Sequence, residues 1–443
     1  MTKTGRLLLL VLLVQNIVNA QKINTAKLDS FFNTLEERNL AMGSLAISKN
    51  GVLQYQRAIG YSYVSKTRKI PANTKTRYRI GSESKMFTAV MIFQLVEEGR
   101  LSLSGKLSAY YPGLQNSGNI TIGNLLNHSS GLHNYTVDTN FPDWMDKEMT
   151  HEQILTIIKN KGADFSPGAR SEYCNTNYLL LGYIIEKVTK SGYASALTKR
   201  ITNKIGLKNT YYGAPIDTAK NESASYKNDH NNWKPEKETN MTIHGGAGSI
   251  VSTASDMALF LEALFGGKLV RKASLERMKT IVDGYGMGLF PLDHGTNKAY
   301  GHNGRIEEFY STARYFPTEK LAVVYITNGI LYPRTDIVEG ILETCFNEPY
   351  TLPFSTEIIL YGAGLDKYIG KYSSGQLPIV VNCTKANNKL IVETKGTNFE
   401  LEPIARNYFM HALSGSFFEF FPEKGELEIK ETDNVYYLKK QLL

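Results

Sequence analysis

The chain has 443 residues, enough for two or three domains, with a formal charge of +8. Its three cysteines, Cys174, Cys345 and Cys383, are too few and too scattered for a disulfide framework. No Cys-x-x-Cys or His-x-x-x-His occurs and the positive excess is spread, so no metal, no cofactor and no nucleic acid is expected.

Residues 1–20 read as a secretory signal peptide: Lys3 and Arg6, then apolar Leu7 to Val14, then Val18-Asn-Ala20 before Gln21. The run is too short to span a bilayer comfortably, and no cysteine follows it for a lipid anchor. A cleaved protein, periplasmic or secreted, is expected; an uncleaved N-terminal anchor is the alternative. Loss of Lys3 and Arg6 lowers the charge from +8 to +6. What remains suits loose attraction to anionic envelope polymers.

Residues 27–38 space Leu28, Phe31, Phe32 and Leu35 as one face of a helix. Strands follow at Gly43 to Lys49 and Gly51 to Ile59, with Asn50-Gly51 as a hairpin turn. Then comes Arg79-Ile-Gly-Ser-Glu-Ser-Lys-Met-Phe-Thr-Ala-Val90, opening a helix over 83–98. Positions i and i+3 share a helix face, so Ser82 and Lys85 place a hydroxyl beside an amine. A serine hydroxyl needs a neighbouring base, and a lysine whose pKa is lowered in a dry place is one. A solvated lysine at an ordinary helix start is the plainer reading. The apolar residues that follow, nearly all round the helix, argue for burial instead.

Helices are expected at 151–160, 176–190 and 254–265. Two long loops, Asn134 to Asp146 with Phe141 and Trp144, and Pro215 to Thr242 with Trp233, are expected to form cleft walls and shape specificity. Between them lies Ser171-Glu-Tyr-Cys-Asn-Thr-Asn-Tyr178. Tyr173 and Asn175 can point the same way from an extended or tightly turned segment. A phenol whose pKa is lowered by ammonium neighbours shuttles protons, and an amide holds substrate or lysine. A loop tyrosine beside a helix cap is the alternative. Cys174 reads as buried packing rather than a second nucleophile.

Tyr285 to Phe290 reads as a strand, and Gly301-His302-Asn303-Gly304-Arg305 as the start of an edge strand. There Gly304 lets backbone N–H groups approach a bound acyl group. His302 is of a type that titrates near neutral pH and so can give or take a proton; a hairpin histidine without chemistry is the alternative. Phe309 to Phe316 and Leu321 to Thr327 form a hairpin, and a helix near 335–346 closes the domain.

Composition shifts after Tyr350-Thr-Leu-Pro353, dividing residues 21–352 from a small β domain over 356–443. Ile379 to Thr384 and Lys389 to Thr394 read as a hairpin around Asn387-Asn388, and Phe417-Phe-Glu-Phe-Phe421 reads as core. The fold class is α+β: an antiparallel sheet flanked by helices with a mostly helical subdomain, then a small all-β, barrel-like domain.

Ser82-x-x-Lys85, Tyr173-x-Asn175 and His302-x-Gly304, in that order, resemble the signature set of penicillin-binding proteins and serine β-lactamases. The likeness is greatest to the class C-like branch, with its β-lactamases, D-alanyl-D-alanine carboxypeptidases, D-aminopeptidases and esterases. Thr121-Ile-Gly-Asn-Leu-Leu-Asn-His-Ser-Ser-Gly-Leu132 and Gly245-Gly-Ala-Gly-Ser-Ile-Val-Ser-Thr-Ala-Ser-Asp256 resemble two further segments of that superfamily. The resemblance covers roughly residues 25–350 and implies a β-lactamase/transpeptidase-like fold. The last domain resembles the small β-barrel appended to some members.

The resemblance also implies roles. Ser82 is the acylated nucleophile, Lys85 and Tyr173 share the base and acid work, and Asn175 positions the substrate amide. His302 takes the place of a lysine. Gly304 and Arg305 contact the substrate, with the N–H groups of Ser82 and Arg305 as oxyanion donors. Two departures matter. His302 removes the permanent cation that holds a free carboxylate. Where the family reads Gly-Gly-x-Pro-Gly-Phe, this chain has Gly304-Arg-Ile-Glu-Glu-Phe309, with Arg305 and Glu308 at usual glycine positions. Arg305 either supplies a cation or, with Glu308, narrows the cleft.

A secreted serine hydrolase of a small ester or peptide amide is therefore expected, with cell-wall D-amino-acid peptides among the substrates and no stable membrane insertion after signal cleavage. The alternatives are a D-alanyl-D-alanine carboxypeptidase or class C-type β-lactamase, and, in another class, a non-catalytic binding or sensor protein.

Overall fold

The computed structural model describes residues 23–229, 232–350, 362–375, 380–394, 396–412, 414–431 and 434–441. The signal segment and the domain boundary near 353–355 lie outside the described residues.

The central antiparallel sheet holds β1 (Ala41–Lys49), β2 (Val52–Ile59), β3 (Phe290–Pro291), β4 (Tyr300–Ile306), β5 (Phe309–Phe316) and β6 (Leu321–Ile330). Their order is β3-β4-β5-β6-β1-β2, so strands from the two chain ends of the domain meet in the middle. Asn50 and Gly51 both have positive φ, as a two-residue hairpin turn requires. β1 and β6 are buried almost throughout because side chains alternate between two layers. Leu45, Ile47, Val323 and Tyr325 pack toward α1 (Thr25–Glu37) and the closing helix Arg334–Phe346, whereas Ala46, Ala322, Val324 and Ile326 pack toward the helical subdomain.

The helical layer centres on α2 (Ser84–Glu97), with α3 (Asn175–Thr189) and α4 (Ala254–Phe265) beside it. α2 is apolar round nearly its whole circumference and buried from Ser84 to Leu95, which is why a lysine in its first turn is dry. Ser82 itself sits on a 3₁₀ turn, Gly81–Glu83, just before α2.

Two expectations need correction. The strand over 285–290 shrinks to Phe290–Pro291, because Gly286 and Gly288 pack tightly where a strand would extend. A Cβ on Gly286 would lie 2.4 Å from the Met278 carbonyl oxygen. The long loop over 215–242 carries a hairpin, Tyr226–Asp229 with Asn232–Pro235.

The C-terminal domain is a closed barrel of eight antiparallel strands between Gly370 and Lys440, joined where Tyr372 pairs with Lys440. Cys383, Val392, Phe409, Phe420 and Leu427 fill it. Phe417 instead joins Ile404, Tyr408 and Met410 against Tyr332 and Ile337. The Tyr408 hydroxyl bonds Asp336, and Lys430 reaches the same carboxylate at 3.2 Å. Among the described residues the barrel lies against the closing-helix layer and lines no part of the cleft described next.

Candidate active site

Five groups from three parts of the sequence converge at the start of α2. Lys85 Nζ lies 3.0 Å from Ser82 Oγ, 2.8 Å from Asn175 Oδ1 and 2.8 Å from the Ala247 carbonyl oxygen. The Tyr173 hydroxyl donates to Ser82 Oγ at 2.6 Å. Asn175 is the first residue of α3, and Tyr173 lies on the extended segment before it.

Burial holds the Lys85 amine well below the usual lysine range, so it favours the neutral form. A neutral amine has two N–H donors and one lone pair. Asn175 Oδ1 and the Ala247 carbonyl take the two donors, and the lone pair is left for the Ser82 hydroxyl proton.

Tyr173 departs from the expectation. Its pKa is raised, chiefly by burial, and not lowered by ammonium neighbours. The phenol is therefore a proton donor to Ser82. The Asn175 side chain turns to Lys85 through Oδ1 and to Thr136 Oγ1 through Nδ2, at 2.8 Å, so it orients the amine.

His302 is likewise corrected as a group titrating near neutral pH. Burial, and then the nearby Lys85, push its pKa down to about 3. Its Nδ1–H donates to the Asn303 carbonyl at 2.5 Å, and Nε2 is buried without a hydrogen-bond partner among the described residues. The ring stacks on Phe290 at 4.3 Å and stands 6.3 Å from the Tyr173 ring. It is close to the constellation but not bonded to it. Cys174 is buried, bonds the Leu132 carbonyl and has its thiol pKa pushed up to about 11, as packing requires.

Gly304 is there for close approach: a Cβ would fall 2.1 Å from the Ile80 carbonyl oxygen. Gly81, at φ +51, abuts the Arg305 backbone in the same way. The Arg305 guanidinium sits over the Tyr310 ring at 5.0 Å, and its backbone passes beside Ser82's turn.

Ser82, Tyr173 and Asn175 line a cleft of about 500 Å³ with Phe141, Met145, Thr239, His244 and Arg305. A larger hollow of about 870 Å³, near Tyr61, Tyr63 and Trp233, contains none of these groups, so chemistry and not size marks the site. Trp233 thus faces away from the cleft it was expected to wall. Sequence reasoning missed Thr136, Thr239, His244 and Glu307. Each reaches the site through long-range contacts that leave no local motif.

The Beta-lactamase family model matches residues 28–339. The chain belongs to that family. It is 27% identical to penicillin-binding protein 4* of Bacillus subtilis (strain 168) over 421 residues, covering 87% of this chain and 92% of that one. The octameric penicillin-binding protein homologue from Pyrococcus abyssi, 24% identical, aligns over 94% of this chain and 100% of its own with a TM-score of 0.68, a likeness of fold that includes the barrel. D-amino acid amidase from Ochrobactrum anthropi SV3, in complex with L-phenylalanine amide, aligns over 73% of this chain and 99% of its own at 25% identity and a TM-score of 0.62. As a member of this family the chain is an enzyme of the serine hydrolase type.

Proposed function

We propose that this enzyme is secreted after loss of residues 1–20 and cleaves small esters or peptide amides, D-amino-acid compounds among them, through an acyl-enzyme on Ser82. One observation carries the reading: a continuous hydrogen-bond chain from the Tyr173 phenol to Ser82 Oγ to the buried Lys85 amine. Ser82 Oγ attacks the carbonyl carbon as its proton passes to Lys85 Nζ. The oxyanion is met by the N–H groups of Ser82 and Arg305; losing one such donor costs roughly 3 kcal/mol. The C–N or C–O bond then breaks, and the leaving atom takes the Tyr173 proton, which the adjacent Lys85 ammonium restores. Water, activated by the same pair, releases the acid.

His302 has no charge to offer a substrate carboxylate at neutral pH, which favours substrates without one beside the scissile bond. The likeness to a D-amino acid amidase supports the amide class.

The test is intact-protein mass after exposure of the mature chain to a fluorophosphonate. A single adduct is expected in the wild type and none in Ser82→Ala. Equal labelling of both, or turnover of p-nitrophenyl acetate that survives Ser82→Ala, would overturn the assignment.

A further inference from the structure

We propose that Glu307, held by Arg79, is a positioning residue that sets the Arg305 backbone N–H against Ser82 and seats the Thr239–His244 strip as a cleft wall. The proposal rests on the reading of Ser82 as nucleophile. Arg79 stands three residues before Ser82, on a short strand paired with Ile250–Ser252. Glu307 stands two residues after Arg305, in the turn between β4 and β5 where Ile306 faces Phe309. The ion pair between them is nearly dry, with side chains 2% and 1% exposed.

The two backbones that this pair brackets are already in contact. A Cβ on Gly81 would lie 2.7 Å from the Arg305 carbonyl oxygen and 3.0 Å from its nitrogen. The Arg79–Glu307 pair thus lies beside the contact that spaces the two oxyanion donors. From the same guanidinium, Nη1 reaches the Thr239 carbonyl at 3.1 Å, and Nη2 reaches the Ala214 carbonyl at 3.2 Å and Glu238 at 2.8 Å. Thr239 in turn bonds His244 Nε2 through its hydroxyl at 3.0 Å, and His244 lines the cleft.

Two features set Glu307 apart from ordinary packing. Its φ of +53° lies in the left-handed region that residues other than Gly, Asn and Asp rarely adopt. Such strain persists where surroundings over-determine it, and it clusters at working sites. Here the determinants are three donors on one oxygen: Arg79, Thr239 N at 2.7 Å and Thr239 Oγ1 at 2.9 Å. The pair is also imperfectly satisfied. Glu307 Oε2 and Arg79 Nε are buried with no partner among the described residues. Stability alone favours an apolar pair at such a place. A geometric duty explains why charge is kept there.

The experiment measures p-nitrophenyl acetate turnover and the rate of fluorophosphonate labelling in the mature chain. Glu307→Gln keeps the shape and removes the charge. Its kcat and labelling rate are expected to fall about 10- to 100-fold, the scale of a roughly 1 Å displacement at a reacting centre, with KM changed less than about threefold. Glu307→Asn, which tolerates the left-handed backbone, is expected to show the same split. Glu238→Gln removes the exposed partner of the same Arg79 without touching the β4–β5 turn, and is expected to lose at most about threefold in kcat.

Folded Glu307 variants with wild-type kcat overturn the clamp alone. So does a Glu238→Gln loss as large as theirs, or a failure of both Glu307 variants to fold, since each marks a merely structural pair. A wild type that neither turns over ester nor takes an adduct removes the Ser82 reading instead, and the clamp's catalytic duty with it.

Discussion

The floor and the wall of the cleft are built by opposite means. The floor, with Ser82, Lys85, Tyr173 and Asn175, grows from buried helix starts whose groups bond one another at 2.6–3.0 Å. The wall, from Thr239–His244 and the β4–β5 turn, is hung on charged and backbone contacts to Arg79 from well over a hundred residues away. Dryness makes the floor reactive, because burial lowers the pKa of its lysine. Charge gives the wall its shape, because an ion pair fixes direction where apolar packing would slide. The difference teaches that reactivity and geometry in one cleft can be purchased separately.

The sharpest break of that comparison is Lys85→Met. Ester turnover is expected to fall by about 10²–10⁴-fold, the usual worth of a positioned general base. Stability is expected to move the other way, by roughly +0.5–2 kcal/mol, as at other strained working sites. The sign follows from linkage. The folded-state pKa of Lys85 lies below the unfolded one, so between the two the unfolded chain binds the extra proton. Wild-type stability therefore rises with pH through that window, and Lys85→Met should flatten the slope. Denaturant titrations from pH 7 to 10 measure both; a destabilised Lys85→Met would contradict a neutral, costly amine.

Phe87→Ala tests the floor's support. Phe87 stacks on Phe260 at 3.9 Å between α2 and α4, and its loss should cost about 3–5 kcal/mol by urea unfolding. A cost below about 1 kcal/mol would mean that α2 is not anchored there. The smallest effect is expected at the rim, where Lys237 meets Asp146 at 2.8 Å in the open. Lys237→Ala should shift the thermal midpoint by less than about 2 °C, since exposed pairs are screened by water and salt. A larger shift would show that the rim belongs to the wall's ionic frame.

What could be read from the sequence follows the same division. The Ser-x-x-Lys turn, the buried helix and the Asn50-Gly51 hairpin are local, so spacing and periodicity reveal them. So is the aromatic run Phe417 to Phe421, of which Phe418 and Phe420 lie inside the barrel. The acidity of Tyr173 and the charge of His302 are not legible in the sequence because burial, the largest influence on both, is a property of the assembled core. Arg305 and Glu308 are the charged residues of this turn that stand at usual glycine positions. It is Glu307 between them that is buried and paired across the molecule. No spacing rule links it to Arg79.

The barrel's seat carries a practical consequence. Tyr332, Ile337 and their neighbours meet Ile404, Tyr408, Met410 and Phe417, so a chain cut near residue 350 would present that greasy surface to water. Such a fragment would tend to clump or fold poorly. Its silence in an assay would then speak of a missing cover and not of a missing participant in the chemistry.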